Sequence, residues 1–110
     1  MKKKKFKLSP SQIEELIKPM GSCIASDKIT VEGLKIGYMY REEPDFSTDS
    51  GWRFFSGTED EEYINNSENL LIYDVNTIVN YDSSIILYLN LEIGVELGRR
   101  ADNSFRIITT

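Results

Sequence analysis

The chain has 110 residues with one cysteine, no histidine and a net charge of -5. That length suits one domain with one core, the missing histidine removes Ser-His and Cys-His nucleophile pairs, and a lone cysteine supplies neither an internal disulfide nor a Cys/His zinc site. Lys2, Lys3, Lys4, Lys5 and Lys7 hold five of the 13 basic residues, and all 18 acidic residues follow them, so the body repels nucleic-acid phosphate and anionic membranes.

Residues 1–8 read as a disordered basic tail and 9–110 as one folded domain. The lysines are followed by Phe6, Leu8, Ser9 and Pro10 rather than an apolar stretch, and no later run is long enough to span a bilayer. Cytoplasm is the expected location, where Cys23 stays a thiol. Ser9, Pro10 and Gln12 have the order of a helix start, and Pro19 ends a helix whose Ile13, Leu16 and Ile17 form an apolar stripe. Residues 21–26 predict a short strand. Asp27 and Lys28 then turn the chain into Ile29, Thr30 and Val31, with a tight turn at Glu32 and Gly33.

The central feature is an aromatic-rich hairpin with strands at 37–42 and 51–56. Ile36, Tyr38 and Tyr40 share one face of the first strand, Trp52 and Phe54 one face of the second. An even register such as Tyr40 opposite Phe54 would gather them into a single cluster and set Arg41 opposite Arg53 on the reverse, but the sequence does not fix the register. The connection makes an acidic tip with Glu43, Asp45 and Asp49. Beyond Gly57, Thr58 to Glu61 is a capping-box pattern for a short helix through Glu62, Tyr63 and Ile64. Residues 69–73 are apolar enough for a buried segment. Asp74 and Asp82 are N-caps for helices at 75–80 and 83–89, the second with Ile85, Ile86 and Leu89 on one face. Residues 94–100 and 105–109 close the chain as a hairpin. The fold class is therefore α+β, a mainly antiparallel sheet with several short helices.

Chemistry is defined mostly by exclusion. The seven glycines match neither a dinucleotide nor a P-loop pattern. Asp45, Ser47 and Asp49 have the spacing that opens a calcium loop, but Ser50 and Ser56 stand where such a loop needs glycine and glutamate. No cofactor is expected. What remains is Glu42, Glu43, Asp45, Asp49, Glu59, Asp60, Glu61 and Glu62, with Arg53 beside them. Three readings stand: a solvated acidic surface, a docking surface for basic residues of another protein, or an acid-base pair of carboxylates.

The runs G-x-C-I-x-S-D-K-I-T-V-E-G from Gly21, G-Y-M-Y-R-E-E-P-D from Gly37, D-S-G-W-R-F-F-S-G from Asp49 and I-Y-D-V-N-T-I-V-N-Y-D from Ile72 resemble the bacterial immunity-protein-33-like family. The resemblance implies a cytoplasmic, non-enzymatic protein that binds and neutralises a cognate toxin, with no catalytic set to carry over. On that reading the acidic residues above and Arg53 hold a protein partner, a basic toxin such as a nuclease being the natural match. A regulatory or ligand-binding module unconnected with a toxin is the alternative.

Overall fold

A computed structural model describes residues 4–108; Lys2, Lys3 and Thr109 of the expected tail and last strand lie outside the described residues. One sheet is built from β1 (Ser22–Ser26), β2 (Tyr38–Arg41), β3 (Asp49–Phe55), β4 (Leu70–Asp74), β5 (Glu96–Arg99) and β6 (Phe105–Ile107), in the order β4-β1-β3-β2-β5-β6. Four of its strand pairs are antiparallel, and β1 with β3 is parallel. Three short helices, α1 (Asp27–Thr30), α2 (Glu61–Asn65) and α3 (Val75–Tyr81), join 3-10 turns at Pro10–Gln12, Ser67–Asn69 and Ser83–Tyr88. The α+β class and mainly antiparallel sheet are those the sequence predicts.

One face of the sheet carries the core. Cys23, Ala25, Met39, Trp52, Phe54 and Leu97 pack there against Val75, Ile78 and Val79 of α3 and against Ile29, Ile36, Ile85 and Leu89. Trp52 and Phe54 are fully buried and stacked, ring centroids 5.8 Å apart. Each such side chain contributes roughly 2–3 kcal/mol by leaving water. The Trp52 indole N–H is satisfied by the Leu89 carbonyl at 3.1 Å, and the Arg41 guanidinium lies 5.7 Å from the ring centre. At the other end, the buried Asp82 carboxylate accepts from Arg99 and from the Ile36 backbone N–H at 3.1 Å, tying α3 to β5.

The structure fixes the hairpin register that the sequence leaves open. Tyr38 pairs with Phe55, Met39 with Phe54, Tyr40 with Arg53 and Arg41 with Trp52, an odd register that divides the aromatics between the two faces. Gly51 stands inside β3 at φ +91°. A Cβ there would stand 2.1 Å from the Glu42 carbonyl oxygen, so only glycine fits.

Other elements depart from their predictions for local reasons. The helix expected from Ser9 to Pro19 is a single 3-10 turn followed by an extended strap. Asn76 and Asn80 of α3 take over its backbone bonds: Leu16 N–H donates to Asn76 at 2.8 Å, Glu14 N–H to Asn80 at 3.0 Å, and both amides donate back to the Glu14 carbonyl. Half of the predicted cap survives, with Ser9 N–H on the Gln12 side chain at 2.8 Å. Upstream, the latter part of the supposed tail lies against the body, with Lys4 on Asp27 at 2.9 Å and Phe6 edge-on to Tyr73. Residues 27–30 form α1 rather than a turn and strand, because the Ser26 hydroxyl caps Lys28 N–H. The run at 69–73 gives the edge strand β4, with Leu71 and Ile72 exposed rather than buried. Asp82 caps a 3-10 helix, which leaves Ile85 and Leu89 inside but Ile86 out.

Candidate partner-binding surface

The second face of the sheet is built by the complementary set of residues. The registers place Ile72, Ile24, Arg53, Tyr40 and Glu96 in one row across five strands, and Leu70, Ser26, Phe55, Tyr38 and Gly98 in the next. Tyr40 stacks on Phe55 at 6.0 Å, and Tyr38 sits 5.7 Å from Tyr40, all on this outer face. Phe55 is buried beneath the two tyrosines, which are themselves half-exposed. Tyr38 donates its hydroxyl to Glu96. Burial, then that bond to a carboxylate, pushes the Tyr38 hydroxyl well above its ordinary range; burial and then Glu42 raise that of Tyr40. Both phenols thus remain neutral donors throughout the physiological range.

Tyr38, Tyr40, Arg41, Glu42, Glu43 and Glu96 line an open groove of about 560 Å³ together with Ile93, Gly94 and Val95, and the Arg41 guanidinium is engaged by the Ser50 and Leu91 carbonyls. Aromatic rings flanked by carboxylates suit a lysine or arginine side chain, through the ring faces and through charge-assisted hydrogen bonds. The tyrosines and Glu96 escaped the sequence reading, which sent Tyr38 and Tyr40 to the core. A glycine within a strand was the available signal of a changed register; nothing in the sequence places Glu96 opposite Tyr40.

The candidate residues fall into separate groups. Glu43 and Asp45 are exposed on the β2–β3 loop. Asp49 and Arg53 are not surface groups: each is under 10% exposed, and Arg53 grips Asp49 through two bonds of 2.9 and 2.7 Å. Asp49 also accepts from Asp45 N–H and Gly51 N–H, both at 2.8 Å, so its carboxylate organises the loop. The guanidinium holds that carboxyl far below the usual range, and Asp49 in turn raises Arg53. Glu42 joins them, its Oε2 2.6 Å from Arg53 Nε, but is itself half open to solvent.

A second acidic group surrounds α2. Glu59 is folded inward, accepting from Ser56 N–H at 2.8 Å and Gly57 N–H at 2.9 Å. Burial disfavours its charge, but these bonds, with the Ser26 and Ser56 hydroxyls, outweigh it and lower its pKa. Asp60 caps α2 through Tyr63 N–H at 2.8 Å, while Glu61 and Glu62 are exposed. Asp60 and Glu62 line a polar hollow with Tyr63, Asn66 and Asn69. No three His, Cys, Asp or Glu side chains among the described residues are arranged to hold a metal ion. No helix among them is long and apolar enough to cross a membrane.

Compared with known proteins, the chain matches the family model described as the immunity protein Imm33 domain over residues 23–109. No curated protein and no solved structure matches it. The match takes in every strand from Cys23 onward, and the chain belongs to the Imm33 family.

Proposed function

We propose that this Imm33 protein is a non-enzymatic, cytoplasmic immunity protein of a bacterium that neutralises a cognate toxin by binding it and covering its active site or substrate groove. Family membership supplies the immunity-type role and a protein toxin as partner. The observation that carries the reading further is the groove in which half-exposed Tyr38 and Tyr40 stand beside Glu42, Glu43 and Glu96. Tyrosine offers large contact area at low entropy cost, and the carboxylates select a basic surface. A toxin that works on nucleic acid presents such a surface, and opposite fields speed its capture before damage accumulates.

Glu43 and Asp45 extend the negative field along the loop, with Glu61 and Glu62 as a second acidic flank. The test is co-expression with each candidate toxin found in the gene neighbourhood of this chain, reading survival, followed by binding kinetics of the purified pair. Survival and a saturable complex are expected, and Tyr40→Ala should speed dissociation. Survival without any complex, or toxin turnover by the protein, would overturn the proposal.

A further inference from the structure

The outer face is not uniformly polar. Ile24, Ile64, Leu70, Leu71 and Ile72 line an open hollow of about 660 Å³ with Asn65 and Ser67, and Ile72 is 59% exposed. β4 forms the sheet edge here and pairs with β1 alone. Its backbone directions follow from the ladder. Val75 donates its N–H to the Gly21 carbonyl at 3.0 Å, and along an antiparallel strand these directions alternate residue by residue. Tyr73 and Leu71 therefore turn N–H and C=O toward β1, and Ile72 turns both outward.

Protein edges are ordinarily blunted by a lysine, a proline, a bulge or sheer brevity. The opposite edge obeys this: β6 has three residues with Arg106 at the centre. β4 reads Leu-Leu-Ile-Tyr-Asp and has none of these devices.

We propose that β4 accepts an extended segment of a partner protein as a seventh strand, and that this segment is apolar on the Ile72 face with basic residues at its two ends. Its backbone would meet Ile72, its apolar side chains would enter the hollow between Ile24, Ile64 and Ile72, and the basic residues at its ends would meet the exposed carboxylates of Glu61, Glu62, Glu68 and Asp74 that surround it. Charge complementarity selects this occupant over a second copy of the chain, whose β4 would bring the same acidic rim against itself. Identifying the segment with the toxin rests on the proposed function; the surface itself does not.

The probe is a library of short random peptides, panned against the intact protein and followed by amide chemical shifts and binding isotherms. Enriched peptides should carry apolar residues flanked by Lys or Arg and shift the Ile72 amide. Ile64→Lys and Ile72→Pro, the latter removing the outward N–H together with the Ile72 side chain at the hollow, should each weaken binding at least about tenfold with unfolding temperature retained. If the proline variant does not fold, N-methylation of alternate peptide residues removes the same hydrogen bonds and should give the same loss. Peptides that shift the amides of residues 42–48 instead, binding indifferent to these changes, or a concentration-dependent dimer abolished by Ile64→Lys would overturn the proposal. Survival in the toxin assay is scored separately: peptide binding retained where no toxin is neutralised sinks the immunity reading alone.

Discussion

Arg53 and Asp49 lie four residues apart on one strand, yet the guanidinium holds both carboxylate oxygens, at 2.9 and 2.7 Å, with neither side chain more than 3% exposed. In a regular strand that separation spans about 13 Å of backbone. Gly51, at φ +91° between them, bends β3 enough for the two to meet. Asp49→Asn should therefore lower stability by roughly 3–5 kcal/mol, since it leaves a buried guanidinium under-compensated. The measurement is urea unfolding followed by Trp52 fluorescence. The pKa of Asp49 is depressed on folding. Its contribution is thus complete above the unfolded carboxyl value, about 3.9, and fades as pH falls below it. The gap between wild type and Asp49→Asn should narrow in acid.

Reversing Glu43 and Asp45 to lysine should change stability by no more than about 0.5 kcal/mol, because both are exposed and their side chains support no packing. Association with the toxin should slow, and its dependence on salt should flatten. Stopped-flow mixing at two ionic strengths reads this directly. A large loss of stability would instead make these carboxylates structural, like Asp49.

Asn76 and Asn80 hold the strap in place of helical bonds. Asn76→Ala removes acceptors for Leu16 and Ile17 N–H and a donor to the Glu14 carbonyl. Amide exchange at Leu16 and Ile17 should accelerate strongly while that of β3 is unchanged, at a cost of about 1–3 kcal/mol. Equal acceleration throughout the sheet would show that the strap is part of the global unfolding unit.

Cys23 is fully buried, and burial, with Asp74 nearby, pushes its thiol far above the ordinary range. A thiol reagent at pH 8 should modify it only at the rate at which the protein opens, orders of magnitude below a free cysteine, and denaturant should restore full reactivity. Fast labelling of the native protein would place Cys23 at the surface.

Signals confined to a few neighbouring residues were legible in the sequence. Ser9 with Gln12 and Asp82 before the last 3-10 helix act near the positions their side chains announce, while α2 is capped by Asp60, two residues beyond the Thr58 that the capping-box pattern indicates. The helix expected after Pro10 failed because its competitors, Asn76 and Asn80, lie 60 or more residues away in the chain. Propensity cannot see a side chain that arrives by folding. Asp49 and Asp45 are chemically alike and four residues apart. Which is enclosed depends on the bend at Gly51 and on Arg53, and so the sequence counted both as tip residues. The groove was hidden because the register is not written in the sequence, and Tyr38 and Tyr40 change faces with a one-residue slip.

The sheet order also has a consequence for how the protein is made. β1 is the first strand to leave the ribosome, but both of its neighbours, β3 and β4, come later in the chain. Synthesis must reach Asp74 before Cys23, Ile24 and Ala25 have partners on both sides. Until then the β2–β3 hairpin, with its short loop, can close without them. The nascent chain therefore carries an open apolar strand for much of its translation, and a chaperone or crowded neighbour meets that segment before the sheet does.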